Sequence, residues 1–174
     1  MSLFKFHDSN FLNKSNHPEV VATVDTYNGN QFKIVTTAGV DTAVPFATDA
    51  EVKAGNAYVM LNIIDKPEII NTDDYKVSAN GKIRAFRIKD FIGEKMDASA
   101  DLVTDAYATV SVGDTLVGRC AADTTNTMGL KKVADVTGYA VYYVVTAKTT
   151  FGAFTVDKNG GTVAGGYVLK IVAA

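Results

Sequence analysis

Cys120 is the single cysteine of the chain, and His7 and His17 are its two histidines. The side chains that most often serve as nucleophile, proton shuttle or soft metal ligand are therefore scarce. One cysteine forms neither an internal disulfide nor a cysteine-cluster metal site, and two histidines near the start leave little material for a zinc centre. No serine stands in a G-x-S-x-G setting. Carboxylates are more plentiful, 15 Asp against 4 Glu. Asp97 and Asp101 frame a stretch with oxygen ligands at alternate positions, but Leu102 occupies the place where a calcium loop needs Gly, and Ala108 the place where it needs Glu. A looser calcium site built from Asp73, Asp74, Asp97 and Asp101 stands beside the plainer reading of solvated turn carboxylates. Acid–base catalysis needs two groups whose surroundings split their pKa values, and an Asp pair of that kind is the enzymatic option the chain retains. The expectation is no catalytic residue, no cofactor and no metal.

Gly113 and Gly118 carry the spacing of a phosphate loop, but Arg119-Cys120 stands where Lys followed by Ser or Thr is required, and the residues after it read as loop rather than helix. A turn between strands is the expectation there. Lys82, Arg84, Arg87 and Lys89 lie on one predicted strand beside Phe86 and Phe91, a basic and aromatic mixture that nucleic-acid sheets also use. With 17 basic and 19 acidic side chains the chain lacks the positive field such binding needs. A solvated face, or an ionic footing of Arg84 and Arg87 against an acidic partner protein, fits better.

The elements that position these residues are strands. Val (22) and Thr (19) dominate over Leu (7), Glu (4) and Gln (1), a balance that favours sheet over helix. An all-β fold is expected, a short-strand barrel or sandwich with strands near 19–27, 31–37, 57–65, 82–92, 106–112, 115–119, 130–134, 138–148 and 166–172. Asn28-Gly29 predicts a hairpin between the first two. In KIRAFRIKDFI the apolar alternation slips between Ala85 and Phe86, which predicts a β-bulge. The run Tyr139–Val145 is apolar on both faces and suits a central strand covered on each side or covered on one side by a partner. Two glycine pairs before Tyr167 predict a flexible reversal into the last strand. One helical turn is expected in Asp49–Lys53 and another in Ala98–Val103.

Residues 1–17 read as a polar arm carrying Leu3, Phe4, Phe6 and Phe11, followed by a β lobe over 18–100 and a second over 101–174, the boundary lying near DASAD. At this length roughly 70% of the chain's surface can be buried, so the fold needs no disulfide or metal. The longest apolar stretch, around Val141, falls far short of the roughly 20 residues of a membrane span. The opening MSLFKFHDSN lacks the apolar core of a secretory signal, so the chain is expected to stay where it is made.

Val110-Ser111-Val112-Gly113-Asp114-Thr115-Leu116-Val117, then Leu130-Lys131-Lys132-Val133, Gly138-Tyr139-Ala140-Val141 and Gly166–Val172 follow one another in an order that resembles tailed-phage capsid decoration and auxiliary capsid proteins, of the cement or head fibre-base kind. The resemblance covers mainly residues 105–174, and residues 62–96 are more loosely similar to structural proteins of small phage virions. It implies a non-catalytic β protein at the capsid surface of a virion, made and assembled in the host cytoplasm. The implied partners are the major capsid protein and neighbouring virion subunits, with homo-oligomers possible and with no nucleic acid, membrane or small-molecule substrate. Residues 113–118 would be a structural turn, and the first hundred residues an added lobe. Leu3, Phe4, Phe6, Phe11, Arg84 and Arg87 are the expected partner contacts. The rival is a carbohydrate-binding or adhesive β module, such as a component of a virion fibre, stacking sugars on tyrosines at 107 or 139–143.

Overall fold

Segments rich in β-branched residues and bounded by Gly, Asn or Asp become strands in the computed structural model of the chain, which describes residues 4–6, 16–62, 76–123, 128–149 and 165–174. In chain order the strands are β1 (Phe4–Phe6), β2 (Asn16–Ala22), β3 (Thr26–Tyr27), β4 (Gln31–Thr37), β5 (Val40–Val44), β6 (Tyr58–Met60), β7 (Lys76–Val77), β8 (Lys82–Arg87), β9 (Lys95–Ser99), β10 (Thr115–Gly118), β11 (Leu130–Val133), β12 (Val141–Thr149) and β13 (Gly166–Ala173), with one helical turn, α1 (Asp49–Lys53), after β5. The fold is all-β. Strands β2-β5-β4-β6-β8 close a barrel, and β1-β9-β13-β12-β10-β11 form a six-stranded sheet.

The barrel is filled by Val20, Ala22, Phe32, Ala43, Met60, Ile83 and Ala85, with Met128 joining them from just ahead of β11. Three alanines leave room for Phe32 and Met60 inside so narrow a barrel. A second core lies between the sheet and the outer wall of the barrel. Val59 and Phe86 from that wall pack with Met96, Leu116, Tyr143, Val145 and Leu169 from the sheet. Neighbouring residues on β6 and β8 therefore serve different cores: Met60 and Ala85 look into the barrel, Val59 and Phe86 look out of it.

This shared wall corrects the bulge expected at Ala85-Phe86. The β6–β8 register runs unbroken through Val59↔Phe86 and Met60↔Ala85; the alternation slips because consecutive residues are buried on opposite faces. The irregularity lies on the partner strand, between His17 and Val20 of β2. The apolar run at 139–145 is explained in the same way. Val141, Tyr143 and Val145 face the second core, while Tyr139 and Tyr142 face a third cluster with Phe46 and Val52, so this chain covers both sides of β12.

The hairpin expected at Asn28-Gly29 does not form. Gly29 (φ +90°) turns the chain, with the Asn30 N–H donating to the Tyr27 carbonyl at 3.0 Å, but positive φ at the third turn residue alone makes a type II turn. That turn splays its flanks, and β3 pairs with β7 instead. The hairpin falls one element later, where Ala38 (φ +51°) and Gly39 (φ +79°) join β4 to β5. Lys95–Ser99, read as the edge of a boundary, is a strand paired with both β13 and β1, because Met96 and Ala98 face the core; a 3-10 turn, Ala100–Leu102, follows it. The strand expected at 106–112 is a 3-10 turn, Tyr107–Thr109, whose carbonyls at Tyr107 and Val110 accept from the Lys148 ammonium rather than from a neighbouring strand. Asp49–Lys53 is helical as expected. The Gly-rich reversal before residue 165 and the calcium candidates Asp73 and Asp74 lie outside the described residues.

Candidate functional site

Of the expected partner contacts, Leu3 and Phe11 lie outside the described residues. Phe4 and Phe6 belong to β1, which pairs with β9 from Phe4↔Ala98 to Phe6↔Met96. Three residues of the expected arm are thus an edge strand of this chain's own sheet, and Asn16 and His17 already belong to the barrel. Arg84 and Arg87 share β8 but stand three residues apart, so they point to opposite faces. Arg87 is exposed and Arg84 half-buried, and neither forms an ion pair among the described residues. Lys82 on the same strand is held by Glu19 at 2.9 Å.

A groove of 460 Å³ opens on the barrel where β2 and β5, paired only through Val21↔Thr42 and Ala22↔Ala43, diverge. Val20 and Val21 line it, and Val40, 51% exposed, stands at its lip. The Lys82–Glu19 pair and Asp41, 3.7 Å from the His17 Nδ1, carry charge along the rim. Apolar lining with charges of both signs can hold an extended polypeptide.

The densest polar cluster sits where the barrel meets the sheet. Phe46, following β5, accepts the Ala121 N–H at 2.7 Å and so draws the turn after β10 against the barrel. In that turn the Asp123 carboxylate accepts from the Cys120 N–H at 2.9 Å and from the Lys131 ammonium at 3.1 Å. Lys131 also lies 3.5 Å from Asp49 on α1, which accepts the Tyr139 hydroxyl at 2.7 Å and pairs with Lys53 at 3.1 Å. Burial pushes the Asp49 and Asp123 carboxyls up, but the hydrogen bonds and lysine charges outweigh it and hold both below the ordinary carboxylate value. Burial, reinforced by Asp123, pushes the Cys120 thiol up. A thiol held protonated beside a carboxylate is a poor nucleophile. The cluster is built to tie α1, β10, β11 and β12 together.

Nearby, the Gln31 amide of β4 donates to the Tyr143 hydroxyl of β12 at 2.6 Å, a buried link from barrel to sheet. Gly118 permits this approach, since a Cβ there would sit 3.2 Å from the Gln31 Oε1.

Sequence reasoning missed this cluster. Its local part was legible, because Asp three residues after Cys120 is the spacing of a side chain capping a backbone N–H. Asp49 and Tyr139, 90 residues apart, share no sequence signal. The tyrosines of the carbohydrate-binding rival are dispersed: Tyr139 and Tyr143 are buried, Tyr142 is half-buried, and Tyr107 lies against Tyr167 with Lys148 over its ring at 4.0 Å. Asp97 lies in β9, and no group of three or more His, Cys, Asp or Glu among the described residues is placed to hold a metal ion. None of the described helices is long and apolar enough to cross a membrane. Searches against protein-family models, curated proteins and solved structures returned no match.

Proposed function

We propose that this chain is a non-catalytic structural protein of a virion that binds the capsid surface by noncovalent adhesion. The observation that carries the proposal is the difference between the two edges of the sheet. At the β11 edge the Leu130 carbonyl accepts the Thr104 N–H at 2.9 Å and the Lys132 N–H donates to Asp105 at 2.7 Å, so that edge is covered. At the other, β1 is the last strand of the sheet among the described residues and offers an edge of the kind that extended partner segments extend. Phe4 and Phe6 belong to this edge strand, Leu3 and Phe11 flank it in the sequence, and Arg84 and Arg87 supply cations for acidic groups on a neighbour. The partners are the major capsid protein and adjacent virion subunits, with a further copy of this chain as one such neighbour. The protein is made and assembled in the host cytoplasm and resides on the virion.

Two measurements test this. Mass spectrometry of gradient-purified particles is expected to find hundreds of copies per particle, and none would overturn the proposal. Co-sedimentation of purified protein with capsids is expected to fall at least tenfold on deleting residues 1–6 and on the double reversal Arg84→Glu, Arg87→Glu. Wild-type binding by both variants would overturn the assignment of the contacts. Glycan-array binding without capsid binding would put the carbohydrate-binding reading in its place.

A further inference from the structure

Arg119 follows β10 and is only 4% exposed, yet no carboxylate among the described residues forms an ion pair with its guanidinium. Nη2 donates to the Asp123 main-chain carbonyl, while Nε and Nη1 have no hydrogen-bond partner among the described residues. The two carboxylates of the junction are already occupied elsewhere: Asp123 accepts from Lys131 and the Cys120 N–H, and Asp49 accepts from Tyr139 beside Lys53 and Lys131. Asp135 also lies within reach of the Lys53 charge, so the two lysines have carboxylates of their own while the buried guanidinium pairs with none among the described residues. A buried cation with vacant donors is unfavourable unless an anion or acceptors reach it.

We propose that the barrel–sheet junction binds a small inorganic oxyanion on the guanidinium of Arg119. Guanidinium N–H groups match tetrahedral and planar oxyanions better than any other side chain does. The depth of Arg119 selects a small free ion over the tail of a partner protein, which would need an open approach. This is not the phosphate loop whose spacing Gly113 and Gly118 imitate, because the donors are side-chain rather than main-chain groups. The bound ion would neutralise the guanidinium and stiffen the contact between barrel and sheet.

The test is thermal unfolding of the full chain in sodium phosphate against sodium chloride at matched ionic strength, with equilibrium dialysis of labelled phosphate. A ligand that binds only the folded state raises Tm with the logarithm of its concentration. The wild type is expected to show that rise in phosphate but not in chloride, with one phosphate bound per chain. Arg119→Met is expected to lose both. Should Arg119→Met fail to fold, Arg119→Lys keeps the charge without the planar fork and is expected to bind phosphate at least tenfold more weakly. Equal Tm in the two salts, or unchanged phosphate binding by Arg119→Lys, would overturn the proposal.

Discussion

The rim of the barrel groove and the barrel–sheet junction both hold a lysine against a carboxylate at hydrogen-bond distance, 2.9 Å for Lys82–Glu19 and 3.1 Å for Lys131–Asp123. Their surroundings differ. The groove side chains are 64% and 72% exposed, those of the junction 23% and 22%. At the rim, water screens the pair and each side chain keeps an alternative partner in solvent. At the junction, Lys131 serves two carboxylates and Asp123 also holds a main-chain N–H, so losing one member leaves others unpaired in a drier place. Distance alone therefore does not rank ion pairs; burial and shared partners do.

The largest test of that contrast is Lys131→Met, which keeps most of the packing but strips Asp123 and Asp49 of a shared cation. We expect a loss of about 2 kcal/mol, or roughly 5 °C in Tm, by urea and thermal unfolding. A loss no larger than that of a surface pair would erase the distinction. Next comes Gly118→Ala, expected to cost about 1–2 kcal/mol, since the new methyl must displace a Gln31 side chain tied to buried Tyr143. Loss of the Gln31–Tyr143 bond in a crystal structure of this variant would show the cause directly.

The pH dependence is smaller and has two arms. Asp49 and Asp123 titrate below their ordinary 3.8 in the folded state, so their contribution is complete above that value and is lost as pH falls through the native values. Tyr167 is pushed up to about 12 by burial, with Tyr107 and Asp105 adding to the shift, so its contribution is complete below 10 and is lost as pH rises towards 12. Urea midpoints are expected to drop on both sides of a plateau, with Lys131→Met flattening the acid arm and removing the lysine's own share of the alkaline one, since the Asp123 bond and the nearby carboxylates outweigh burial and hold its ammonium above the ordinary value. The smallest effect belongs to Lys82→Gln, expected to change stability by less than about 0.5 kcal/mol and to leave both arms unchanged. A larger loss would mean that the groove rim is structurally coupled to the barrel.

Strand content, the turn at Gly29 and the helical turn at Asp49–Lys53 were legible from residue types, because each depends on local backbone preference. The pairing partners were not. Asn28-Gly29 announces a turn, but which strand follows depends on whether positive φ falls on one residue or two, and Ala38-Gly39 achieves the second case without a strong signal. β9 was obscured because Asp, Ala and Ser are poor strand formers, and burial of Met96 and Ala98 between β13 and β1 outweighs that preference. The 106–112 segment erred the other way: its β-branched residues suited a strand, but an ammonium 38 residues on took the Val110 carbonyl.

The candidate contacts divide along the same line. Arg84 and Arg87 could be placed on one strand by pattern, and their opposite faces follow from their odd separation. The junction could not be anticipated, since Asp49, Arg119, Asp123, Lys131 and Tyr139 meet only after a barrel and a sheet have packed. Composition and short-range preference are properties of neighbouring residues and survive any folding pathway, so the amino acids alone settle that this chain is built of strands. Which strand neighbours which, why Ala85 and Phe86 are both buried, and where the charges converge are settled by burying two cores against one wall, a cost shared among residues far apart in the chain.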